Sequence, residues 1–248
     1  MCIRDRAAAQ TASFIRHQLW QPPVLSALSS QGQARLNGYL DDYAFVADGL
    51  IELLQCRWNQ GEADWLVALL DALLERFEDA DGGFFFTSHD HETLMHRPKQ
   101  FSDDAGPAGN GVAAEVLIKA GHLLGEHRYL EAAERTLKAA WPDIEAFPHA
   151  HASMLNALQL WLTPPELVII RGDEADMLEW QTLAQAGYTP HRLCFAIDNA
   201  TVGLTGMLAE RSANADGTVA YLCRGMQCDA PITSLTDLAT ALSSPPIQ

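Results

Sequence analysis

Apolar positions recur at helical spacing along the first two thirds of the chain and then change rhythm. Ala7, Ala12, Ile15 and Leu19 open the pattern and predict a helix over 7–20, stopped by Pro22 and Pro23. Residues 21–36 read as a polar connection with a turn at Gln31-Gly32. Over 38–56, Tyr39, Tyr43, Val46, Leu50 and Leu53 share one face, and Leu40, Ala44, Ala47, Ile51 and Leu54 a second. Two apolar faces predict an inner helix packed on both sides. The helix over 62–79 carries Leu66, Leu69, Leu70, Leu73 and Phe77 on one side only, so it reads as an outer helix ended by Asp81-Gly82-Gly83. Phe84 to Thr87 and Leu94 to Arg97 predict a β-hairpin insertion around a polar tip. Three further helices follow, over 109–124 with Gly125 as C-cap, over 127–141 closed by Pro142, and over 149–162 after Pro148. Inner and outer helices alternate, the pattern of stacked αα-hairpins.

At Thr163-Pro164-Pro165 the period shortens. Leu167 to Ile170 predicts a buried strand, Glu174 to Ala186 a helix, Arg192 to Ile197 a strand, and 201–210 a weak helix. Val219 to Cys223 is a third strand. Ser234, with Asp237 three residues on, opens a last helix as a capping pair. Strands alternating with helices predict a small α/β module. The organisation expected is a helical domain over 7–164 and the module over 165–248. Met1 to Arg6 read as extraneous, because the helical pattern is already running at Ala7, and the frame is expected to open inside a longer protein.

Composition narrows the function. Hydrophobic residues make up 48% of the 248, enough for a sizeable core, and the formal net charge is −16. A surface this acidic repels phosphate backbones, so nucleic acid is a poor partner. No apolar run approaches the length of a bilayer span, and no secretory leader is present, so a cytoplasmic protein without a membrane partner is expected. The five cysteines are scattered, an odd count that predicts reduced thiols. Cys56 and Cys194 read as small packed hydrophobes. Cys223 and Cys228 have neither redox-pair nor zinc spacing, so a structural role is expected, with a disulfide as an open alternative.

The stretch Arg97 to Ala114 gathers the most chemistry. It offers Arg97, Lys99, the pair Asp103-Asp104, and Asn110 in a glycine-rich run ahead of an apolar helix. These side chains either form an ion-pair network or bind a polyhydroxylated or anionic ligand; Asn110 either caps a helix or presents its amide. Asp41, Asp42 and Tyr43 open the inner helix. A carboxylate pair there serves acid–base chemistry if proximity splits its pKa values; otherwise it caps the helix, with Tyr43 in the core. His89 and His91, and His149 and His151, are spaced two apart, but they fall on a solvated loop and a helix start, and no metal site is expected. Gly172-Asp173 lacks the three-glycine fingerprint, so no nucleotide cofactor is expected.

Three segments, LNGYLDDYAFVADGLIELL, GGFFFTSHDHETLMHRPKQFSDDAGPAGNGVAAEVL and AYLCRGMQCDAPITSLTDL, together resemble the C-terminal portion of the spermatogenesis-associated, thioredoxin-domain-containing protein family. The resemblance runs from about Ala7 onward. It implies a thioredoxin-like domain ahead of this segment and an α/α toroid of the six-hairpin glycosidase type, similar to that of N-acylglucosamine epimerases. The fold expected is therefore mainly α, a partial α/α toroid with a β-hairpin insertion and the α/β module. Pro107, Ala108, Gly109 and Asn110 stand where the family often has Pro-Ser-Gly-Asn, so a serine hydroxyl is not required. No histidine lies in the two motifs, which leaves epimerisation unsupported. Two functions follow as expectations. One is a toroid scaffold or ligand-binding domain that serves the thioredoxin-like domain. The other is a carbohydrate-related enzyme acting on a sugar-like molecule. In the second, Asp42 and Asp104 would be acid and base, with Tyr43, Arg97, Lys99, Asp103 and Asn110 holding the ligand.

Overall fold

The computed structural model describes residues 3–91, 94–212 and 217–243. Helix α1 (Ile3–Gln18) leads into β1 (Trp20–Gln21), β2 (Val24–Ser30) and β3 (Gln33–Asn37), a small antiparallel sheet in the order β1-β2-β3. The predicted polar connection is therefore largely strand. Ser30 pairs with Gln33 across a two-residue turn in which Gln31 and Gly32 both have positive φ, the hairpin turn that matches strand twist. Ile3–Arg6 are part of α1, with Ala12, Ile15 and Leu19 packed against the core as the spacing predicts.

Helices α2 (Leu40–Cys56) and α3 (Gln60–Phe77) form the first helical pair, and α4 (Gly109–Leu124) and α5 (His127–Ala146) the second. A short 3-10 turn (Pro148–Ala150) precedes α6 (Ala152–Leu162). The pairings are α2 with α3, α2 with α4, α4 with α5 and α4 with α6. So α2, α4 and α6 make an inner row, with α3 and α5 outside it. The two-faced pattern of α2 is realised: Tyr43, Leu50 and Leu53 are buried, and so are Leu40, Ala44, Ala47, Ile51 and Leu54. Burial is deepest on α4, where every residue except Glu115 is buried. Its end is set by Gly125, whose left-handed backbone (φ 74°) only glycine adopts without strain.

Two expectations about punctuation fail. Pro142 does not close α5, which runs on to Ala146 and buries Ile144. The β-hairpin of 84–87 and 94–97 does not form among the described residues, which leave out Glu92 and Thr93. Other groups use the backbone hydrogen bonds a hairpin would need. Phe84 N–H donates to the Asn110 side chain, Phe85 N–H to Phe77 O, and Phe86 N–H to Pro98 O, while Phe86 O accepts from Leu40 N–H.

The α/β part holds β4 (Glu166–Gly172), α7 (Glu174–Ala184), β5 (Arg192–Asp198), α8 (Gly206–Glu210), β6 (Val219–Arg224), β7 (Gln227–Cys228) and α9 (Leu235–Ser243). The sheet order is β5-β4-β6-β7, with β4 parallel to β5 and antiparallel to β6. Side chains alternate along β4. Leu167 and Ile169 join the helical core, whereas Val168 and Ile170 pack with Met177 and Trp180 of α7 and Leu238 of α9. The expected cap of α9 is present: Ser234 Oγ accepts from Asp237 N–H at 3.1 Å. The helix expected over 201–210 shrinks to α8.

Cysteine chemistry departs from the all-thiol expectation. Cys223 and Cys228 are cross-strand partners of β6 and β7 and form a disulfide. Cys194 is buried, and burial pushes its thiol up to about 12. Cys56, expected to pack inside, is exposed. Cys2 lies outside the described residues. No helix among the described residues is long and apolar enough to cross a membrane.

Candidate functional site

The early turns of α2, α4 and α6 come together at one end of the inner row and bound a concave surface. The loop 104–107 divides it into two halves of about 370 and 360 Å³. Leu40, Asp41, Phe86 and Gln100 line the first half; Asp48, Glu115, Ser153 and Asn156 line the second. Phe45 and Asp104 face both. The lining draws on the first half of each inner helix, so these helices run parallel with their N-termini toward the hollow. Lys119 fits this register, reaching from α4 to Asp48 (3.2 Å) and Glu52 (3.7 Å) of α2 and to Glu115 (2.8 Å).

The two aspartate pairs are placed unequally. Asp42 accepts the Tyr39 N–H at 2.8 Å, closing the first turn of α2, and it does not line the hollow. Asp41 does. Its carboxylate lies against the α-carbon of Gly109, where any side chain would collide with it. No described residue donates a hydrogen bond to it, and burial, then the neighbouring Asp42, raises its pKa. Burial also raises the Asp42 pKa, against the opposing Tyr39 hydrogen bond.

Asp103 ties three segments together. Oδ1 accepts from Ala108 N–H (2.9 Å) and from the Ser153 hydroxyl, and Oδ2 accepts from Ser153 N–H (2.9 Å) at the start of α6. Burial raises its pKa, but the Ser153 and backbone hydrogen bonds outweigh that, and the pKa is lowered. Asp104 is exposed on the loop and faces the hollow.

The remaining predicted ligand residues are engaged by the protein. Asn110 is 1% exposed. Its Oδ1 accepts from Phe84 N–H at 2.7 Å, and its Nδ2 donates to Phe84 O and Gln100 O. The Tyr43 hydroxyl accepts from Leu25 N–H and donates to Pro23 O, anchoring the small sheet on α2. Lys99 pairs with Asp79 at 2.6 Å and donates to Gly82 O. Arg97 donates to Thr87 O and lies over the Phe85 ring. The structure thus brings together Asp104 and Asp41, with Asp103 and Asn110 as buttresses at the rim. It leaves Asp42, Tyr43, Arg97 and Lys99 outside the lining. Phe45, Asp48, Gln100, Glu115, Ser153 and Asn156 were not singled out as lining residues, and within the α2 carboxylate pair Asp42 was preferred to Asp41. The two-faced pattern of α2 signals burial but not which residues of its first turns meet a neighbour.

Of the histidine pairs, His91 contacts the Ser88 hydroxyl (2.8 Å) in the turn near α3, and His151 Nδ1 meets Phe147 O (2.8 Å) ahead of α6. Among the described residues no group of three His, Cys, Asp or Glu side chains is arranged to hold a metal ion.

No family model matches the chain. It is similar to curated proteins named spermatogenesis-associated protein 20, at 26% identity over 213 residues for the human protein and 25% for the rat protein. An uncharacterized Caenorhabditis elegans protein is 23% identical over 215 residues. The human match covers 83% of this chain but only 27% of the relative, so the chain spans about a quarter of the length of the curated relatives it matches.

Proposed function

We propose that the chain is a ligand-binding helical scaffold of an uncharacterised protein family, with its site in the hollow at the N-terminal end of α2, α4 and α6. The observation that carries this reading is the pair Asp41 and Asp104. They come from segments more than sixty residues apart in sequence, yet both line one concavity that Phe45 and Phe86 also wall. Polar groups convergent on a partly apolar hollow are the usual form of a small-molecule site. In this reading the inner row is an arc of an α/α toroid, and a sugar-like molecule is the first ligand class to try. In this reading a thioredoxin-like domain accompanies the helices in a longer, cytoplasmic protein; the match to only 27% of the human relative leaves room for such a domain there. The helical part then spans 7–164 and the α/β module 165–248.

The test is a small-molecule screen followed by amide NMR. Shifts clustered at Asp41, Phe45, Gln100 and Asn156 support the site, and loss of binding in Asp104→Asn supports it further. A ligand whose shifts fall elsewhere overturns it.

A second reading keeps acid–base chemistry but moves it by one residue. Asp41, not Asp42, faces the hollow with a raised pKa, the property a general acid needs. Turnover of a sugar that survives Asp41→Asn would exclude it.

A further inference from the structure

The charge of the hollow defines its ligand more narrowly than its shape does. Among the described residues, five carboxylates line the two halves, Asp41, Asp48, Asp103, Asp104 and Glu115, and no lysine, arginine or histidine lines either. The cations expected from sequence to meet an anionic ligand are held elsewhere. Lys99 is paired with Asp79, and Arg97 lies over Phe85. Lys119, a cation near the rim, is already shared among Asp48, Glu52 and Glu115.

Three helix N-termini point at the same place and oppose the acids. Each is equivalent to roughly half a positive charge, about one and a half in total. Asp42 at α2 and Asp103 at α6 answer two of them directly through backbone N–H groups. The remaining balance is negative. Lys119 feels the same carboxylates: burial, the largest effect on it, acts to lower its pKa, yet Asp48, Glu115 and Glu52 raise it. Phe45 is a large side chain left 42% exposed on this surface, and an aromatic face beside carboxylates attracts organic cations.

Resting on the ligand-site reading above, we propose that the hollow binds an organic cation, a small molecule carrying at least one ammonium group, with Asp104, Asp48 and Glu115 as its counter-ions and Phe45 as its wall. The carboxylates sit at the rim of an open surface, not in a ligating cage. This geometry fits a hydrated ammonium group and disfavours a bare metal ion. A carboxylate or phosphate ligand would meet uncompensated like charge.

Charge-matched pairs test this on the whole chain by calorimetry and amide NMR: glucosamine against glucose, and putrescine against 1,4-butanediol, with glucuronate as the anion. The expected result is binding of both ammonium members at least tenfold tighter than their neutral partners. It should weaken at least fivefold between 50 and 500 mM NaCl, and shifts should fall on Asp104, Glu115 and Asn156. Asp104→Asn and Glu115→Gln each lower the affinity severalfold, whereas Glu179→Gln on α7 does not. Glucose or butanediol binding in the hollow as tightly as its ammonium partner overturns the charge inference and leaves the site standing. Equal weakening by Glu179→Gln means nonspecific attraction to an acidic protein and overturns the inference. Absence of shifts in the hollow with every member overturns the charge inference and the site reading together.

Discussion

The chain holds two adjacent aspartate pairs, one at the mouth of α2 and one in the loop before α4, and each pair divides in the same way. Asp42 and Asp103 accept backbone N–H groups and hold the local chain in place. Asp41 and Asp104 face the hollow, and Asp103, though it borders the second half, commits both oxygens to its tethers. The tethering members differ in reach. Asp42 closes a turn three residues long, while Asp103 joins its own loop to the start of α6, fifty residues away. A pair of identical residues can thus combine a structural and a ligand-facing role, because neighbours on a helix or turn point in different directions.

The largest effect that would separate the roles is at Asp103. Asp103→Ala leaves Ala108 N–H and the Ser153 groups without their acceptor and should cost about 3 kcal/mol by urea unfolding. Asp104→Ala, beside it, should leave the unfolding midpoint where it was and reduce ligand binding instead. Equal destabilisation by both would erase the distinction.

At α2 the same contrast is smaller. Asp42→Ala removes a capping acceptor and should cost about 1 kcal/mol. Asp41→Asn removes a charge that burial and Asp42 both disfavour, and should leave the protein slightly more stable. Thermal melts of the two variants should therefore move in opposite directions.

A double-mutant cycle sharpens the placement of Asp41. Gly109→Ala should be costly with Asp41 present and milder in an Asp41→Ala background, with a coupling of about 1 kcal/mol. Additive effects would show that the carboxylate does not lie on Gly109.

The smallest contrast is in pH dependence. The Asp103 pKa is lowered on folding, so its contribution is complete above the unfolded value near 3.9 and is lost as pH falls through the folded one. Asp41 and Asp42 are raised, so their contribution is complete below that value and is lost as pH rises through their folded values. Carboxyl carbon titrations should place Asp103 below about pH 3.9 and the α2 pair above it.

Much of the helical layer was legible, because a spacing of three and four residues is written directly into α2, α3 and α4. The run Leu167 to Ile170 likewise announced a strand buried on both faces. The small β1-β2-β3 sheet was not legible. Its strands mix apolar and polar residues without a regular alternation, and the Gln31-Gly32 turn was visible without the ladder beside it. The aromatic run at Phe84 misled for the opposite reason. Its strand propensity was real, but its nearest hydrogen-bonding partner is the amide of Asn110, and no local pattern reports a partner twenty-six residues away. The hollow was half legible. The two motifs do meet, but choosing Asp41 over Asp42 needs the position of Gly109 on the neighbouring helix.

The alternation along β4 has a consequence for how the molecule comes apart. Because Leu167 and Ile169 are a wall of the helical interior, peeling the sheet away would wet both surfaces at once. Heat or denaturant should therefore melt helices and sheet in one cooperative step. A protease cutting at Thr163 should yield two sticky halves that remain associated until both unfold.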